Sequence, residues 1–153
     1  MCDEYKFQCW LERGKLYYLA SPFTGYKERQ EQRTREVAKI ACDIYMSGHE
    51  ILSPITHSKM IAEAFDCPTS WDFWERLDLA LLSRCDALLV VPLSGWQHSV
   101  GLHAEISFAV RHEMQMLILQ IDEWYNNSSS GIIVEHLNSS FLNEFEIGNR
   151  GSE

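Results

Sequence analysis

One carboxylate, Glu105, stands alone in the stretch VVPLSGWQHSVGLHAEISFA, from Val90 to Ala109. The stretch opens as an apolar strand, breaks at a glycine and resumes with helical spacing. That pattern places the acid in the first or second turn of a helix. A second acid, Asp78, lies eight residues before Asp86 on the preceding helical segment. Two carboxylates at one crevice are the equipment for breaking a glycosidic bond. One attacks or stabilises the anomeric carbon, and the other manages the leaving group's proton. Each also has a plainer reading: acids near helix starts and on helix surfaces are common.

The loop before Glu105 adds further candidates. SGWQHSVG can present backbone N–H groups at a helix N-terminus, where the dipole favours anions. Ser99 either caps the helix or donates its hydroxyl to a ligand, and Gly95 and Gly101 serve turn geometry or close packing. Ser21, Phe23 and Gly25 fall in an earlier loop, SPFTG, and His57 follows a second apolar segment in SPITHS. Trp71, Trp74 and Trp96 could stack on a base or simply pack, and Trp96 sits in the loop nearest Glu105. Arg33 is the arginine of YKERQEQRTR that could turn inward toward a phosphate. The first loop matches neither a P-loop nor a dinucleotide fingerprint, and GxSxG and HExxH are absent. The histidines form no metal pattern, so neither a metal nor a cofactor is expected.

These residues need a scaffold that gathers them. KLYYLAS reads as a buried strand ended by Ser-Pro, followed by a helix from about Tyr26 to Ser47 with Gly48 as its cap. The stripe Val37, Ile40, Ala41, Ile44 and Tyr45 would face the core. HEILSP reads as a second strand, THSKMIAEAF as a short helix, and SWDFWERLDLALLSRC as a helix capped by Ser70. DALLVVPL is a third strand covered on both faces, and QMLILQI a fourth. GIIVEHL is a further element, and YKFQCWLERG is a candidate edge strand. Strands alternating with helices imply parallel pairing. The expected fold is therefore α/β, a doubly wound, flavodoxin-like parallel sheet of four to five strands with helices on both faces. Ligands of such sheets bind beyond the strand C-terminal ends, which singles out Ser21–Gly25, Ser53–Ser58 and Leu93–Gly101.

Composition narrows the classes. The 153 residues, 46% hydrophobic and 23% charged, fit a single domain spanning 1–153, with 1–14 an N-terminal extension and 125–153 a C-terminal element and tail. The net charge of −9 disfavours nucleic-acid polymers and anionic membranes as partners. Five cysteines without CxxC spacing signal neither a disulfide framework nor zinc, and Cys42 and Cys85 read as buried thiols. The charged N-terminus lacks a signal peptide's apolar core, so a reducing, cytoplasmic location is expected.

Taken together, YYLASPF, SPITHS, DLALLSRCDALLVV and GWQHSVGLHAE resemble the nucleoside 2-deoxyribosyltransferase superfamily, which includes the 2′-deoxynucleoside 5′-monophosphate N-glycosidases. The likeness is closer to an uncharacterised branch of the DUF1937 type and spans roughly Leu16 to Gln120. The resemblance implies Glu105 as nucleophile, Tyr18 as the hydroxyl orienting it, and Asp78 as the acid serving the departing base. It also implies Ser99 and Gly101 as a 5′-phosphate loop, Ser21 beside the sugar, and a homo-oligomer. The first loop departs from the monophosphate hydrolases, having no arginine before Arg29. The expected activity is N-glycosidic cleavage, by hydrolysis or base exchange, in a nucleoside or its 5′-monophosphate. Cleavage of NAD or a signalling nucleotide, and nucleotide binding without turnover, are the alternatives.

Overall fold

A computed structural model describes residues 11–23, 27–121, 132–136 and 143. The elements in chain order are β1 (Leu16–Ala20), α1 (Lys27–Met46), β2 (Glu50–Leu52), α2 (Pro54–Phe65), α3 (Trp71–Leu82), β3 (Ala87–Val90), α4 (Val100–Arg111), β4 (Gln115–Ile121) and β5 (Ile132–His136). A short 3-10 turn, Trp96–His98, lies between β3 and α4. Of the candidate N-terminal edge strand, 5–10 lie outside the described residues, and 11–14 run through a turn rather than a strand.

The strands form one sheet in the order β2-β1-β3-β4-β5. The first four are mutually parallel, so the doubly wound, flavodoxin-like α/β architecture holds. The fifth departs from an all-parallel sheet: β5 runs antiparallel to β4, with Ile121 opposite Ile132. A parallel return needs a long crossover, and too few residues separate Ile121 from Ile132 to build one.

Period-two alternation divides the core between the two faces of the sheet. Tyr17, Leu19, Leu89 and Leu117 pack with Val37, Ile40 and Ile44 of α1 on one side. Tyr18, Ala20, Leu88 and Val90 pack with Leu82 of α3 and Leu102, Ile106 and Ala109 of α4 on the other. The adjacent tyrosines therefore serve opposite faces. The Tyr17 hydroxyl accepts the Glu12 N–H at 2.7 Å, whereas Tyr18 points toward α4.

Helix α1 turns Arg33, Val37, Ile40 and Ile44 inward, an i, i+4, i+7, i+11 stripe. Gly48, with φ at 90°, takes the left-handed conformation that lets the chain leave the helix. Two expectations for this helix are corrected. Cys42 is exposed, because it stands two residues from Ile40 and so on the outward face. Tyr45 is 68% exposed, lying beyond the edge of the stripe. Cys85 is buried. The second Ser-Pro also reads differently in three dimensions: Ser53 is the N-cap and Pro54 the first turn of α2. Proline fits there because its missing N–H would have had no helical partner. Helix α2 touches α1, α3 and β1. Among the described residues, no helix is long and apolar enough to cross a membrane.

Candidate active site

The strand order reverses between β1 and β3, since β2 lies outside β1 while β4 continues beyond β3. Such a switch point opens a crevice at the strand C-terminal ends. Helix α4 begins at this edge. Ser99 is its N-cap, with extended backbone and an Oγ that accepts the Leu102 N–H at 3.4 Å. The buried positions of α4 are Leu102, Glu105, Ile106 and Ala109. That i, i+3, i+4, i+7 stripe is what drives a carboxylate into an apolar layer.

Glu105 is held there by one strong contact. The Tyr18 hydroxyl donates to Glu105 Oε1 at 2.6 Å, in a setting where Tyr18 is fully buried and Glu105 is 5% exposed. Burial pushes Glu105 up to about 8; the Tyr18 hydrogen bond pulls the other way, and the charge of Asp78 adds to the rise. Burial and the neighbouring carboxylates raise Tyr18 well above its ordinary range, so it stays a neutral phenol and a donor.

Asp78 reaches the same hollow from α3, where it and Leu82 are the buried residues. Burial pushes it up to about 6. Its Oδ1 is enclosed without a hydrogen-bond partner. Ser21, Phe23, Ser99, Asp78 and Glu105 line the hollow. Gly101 lines it as well.

Helix α2 supplies a wall that the sequence reading missed: Ile55, Ser58, Lys59 and Ala62. Their i, i+3, i+4, i+7 spacing was the available signal, obscured by taking Pro54 as a strand stop. Ser21 Oγ and Ser58 Oγ, like Asp78 Oδ1, are buried without a hydrogen-bond partner. Buried polar atoms are normally satisfied, so three orphans in one hollow mark a place that water or a polar ligand can complete. Lys59 is paired with Glu63 at 3.3 Å and keeps only 15% of its side chain exposed.

Two expected ligand residues are not brought to the hollow. His57 is exposed on the first turn of α2, one position from the inward-facing Ser58. Trp96 is 7% exposed and packs in the core with Leu102 and Ile106. Its place in the wall is taken by Trp71 and Trp74 of α3, which share a face with Asp78 at i, i+3 and i+7. Gly25 lies outside the described residues. Arg33 does turn inward, and its guanidinium donates to the Ser94 carbonyl. Arg29 reaches the same residue, at 3.4 Å from Ser94 Oγ.

Fold and site thus define an α/β protein with two buried acids at the C-terminal edge of its sheet. A family model for a domain of unknown function, DUF1937, matches residues 15–136, and the chain belongs to that family. No curated protein matches it.

Proposed function

We propose that the protein cleaves the N-glycosidic bond of a nucleoside or nucleoside 5′-monophosphate. The observation that carries this reading is the 2.6 Å hydrogen bond from the buried Tyr18 to Glu105, which lines the same hollow as Asp78. A glycosyl substrate needs a nucleophile of fixed orientation and a separate acid, in a site that sheds water around a developing oxocarbenium ion.

In the proposed first step, a Glu105 carboxylate oxygen bonds to C1′ as the C1′–N bond breaks. The bonding pair leaves with the base, and Asp78 supplies the proton that neutralises it. In the second step water attacks C1′, the Glu105–C1′ ester bond breaks, and the water's proton passes to the Asp78 carboxylate. Base exchange follows the same course with a second base in place of water. The Tyr18 hydroxyl occupies one carboxylate oxygen and leaves the other for attack. Burial raises both acids, Asp78 to about 6 and Glu105 to about 8. The reacting form, with Glu105 ionised and Asp78 protonated, is therefore the minor one near neutral pH, and turnover draws on it.

The test is incubation with a panel of nucleosides, nucleoside 5′-monophosphates and NAD, read by chromatography for free base or nicotinamide. Free base from the parent, and none from Glu105→Gln under the same conditions, is the expected result. Release by Glu105→Gln at the parental rate overturns the assignment. Nicotinamide alone redirects it to NAD. A ligand that raises the melting temperature and emerges intact makes the protein a binding module.

A further inference from the structure

Buried acids and serines make the polar side of the hollow, and Trp71 and Trp74 of α3 form an aromatic wall beside them. Trp71 lies on the first turn of that helix, seven residues before Asp78, and both line the hollow. The six-membered ring of its indole is laid against the backbone of Gly101 on α4. A Cβ added at Gly101 would lie 2.9 Å from Trp71 Cε3 and 3.5 Å from both Cδ2 and Cζ3. A Cβ does not come that close to a ring carbon, so any side chain at 101 forces the rigid indole to move. Trp74, its neighbour one turn on, is anchored differently: its indole N–H donates to the Pro68 carbonyl at 2.8 Å, and its ring meets Phe73 edge-on.

We infer that Trp71, seated on Gly101, is the platform against which the planar leaving group lies, whichever aromatic base that is. This assignment rests on the N-glycosidase reading. The geometry supplies the reason. An acid serving a departing base must meet the edge of that base. The indole two turns away on the same helix face can then cover the ring's flat side. A planar aromatic ring stacks on an indole without needing a particular hydrogen-bonding pattern. Gly101 is accordingly a packing seat for Trp71, the close-packing role its sequence position allowed.

The experiment measures binding separately from turnover. Free adenine, cytosine and thymine, and the corresponding nucleosides, are titrated by calorimetry into Glu105→Gln, alone and combined with Trp71→Ala, Trp71→Phe or Gly101→Ala. Trp71→Ala is expected to weaken base binding by roughly 10- to 100-fold, the range that loss of one stacking partner gives. Trp71→Phe should restore most of the affinity, because a flat ring returns. Gly101→Ala should fall between parent and Trp71→Ala, with the near-ultraviolet dichroism of the indole altered. If bases bind the Trp71→Ala double variant as tightly as Glu105→Gln, the platform is overturned whatever the turnover assay gives. If binding falls as expected while the parent releases no base, the platform stands and the N-glycosidase reading fails. Absence of binding by every base and nucleoside to Glu105→Gln overturns both.

Discussion

Glu105 stores a testable conflict between burial and charge. Its carboxyl titrates near 4.5 in the unfolded chain and at about 8 in the folded protein. The folded state therefore holds the proton more tightly. The resulting stabilisation is complete below about 4.5 and disappears as pH rises through about 8. Asp78 has the same sign, its share being lost between 3.8 and about 6. Glu105→Gln keeps an acceptor for Tyr18 and removes the ionisation. Its melting temperature should gain on the parent's steadily between pH 5 and pH 8.5. The gain corresponds to on the order of a few kcal/mol, since each pH unit is worth about 1.4 kcal/mol. A constant difference across that range would mean that Glu105 is not held protonated by its surroundings. At this scale the sequence was informative about identity and silent about direction. Glu105, Asp78, Ser21 and Ser99 could all be named from residue type and loop position, and all line the hollow. Ser58 could not, because nothing in SPITHS distinguishes an enclosed serine from an exposed histidine until the helix start is known.

The elements that set the site are joined by a clamp at the crest of β3. Arg33 of α1 is 5% exposed and donates to the Ser94 carbonyl, and Arg29 approaches the same residue. Gly95 follows in the left-handed conformation, φ 83°, and a Cβ there would lie 3.3 Å from Arg33 Nη2. Gly95→Ala should thus cost about 1–2 kcal/mol, from the left-handed backbone and the crowded guanidinium together. Denaturant melts would register it, and a neutral result would show that the loop has room to relax. Element types and order were legible because apolar runs and helical stripes dominate this chain. The errors came at boundaries. A Ser-Pro after an apolar run ends a strand and starts a helix equally well, and moving that start to Pro54 turned His57 outward. Trp96 was favoured for its nearness to Glu105 in sequence, yet a 3-10 turn folds it back into the core. Trp71 reaches the hollow from another helix.

For the molecule as a whole, charge and topology act together. Nine net negative charges give a field that repels polyanions. The arginines of α1 that could have formed a basic patch include two directed at Ser94. No retardation of duplex DNA is expected at about 0.1 M salt, where surface charges remain only partly screened. A stable complex in a gel-shift assay would show that a local basic surface overrides the net charge. Four parallel strands with covered faces were recoverable from their near-continuous apolar runs. The antiparallel fifth was not, since direction follows from the length of a connection and leaves no mark in the strand's own composition.

Tyr18 and Glu105 are separated by 87 positions along the chain. The phenol therefore gains its partner only once the segment carrying the acid has been made. Any product terminated before α4 lacks the pair entirely, so the proposed chemistry requires a chain extended at least through that helix.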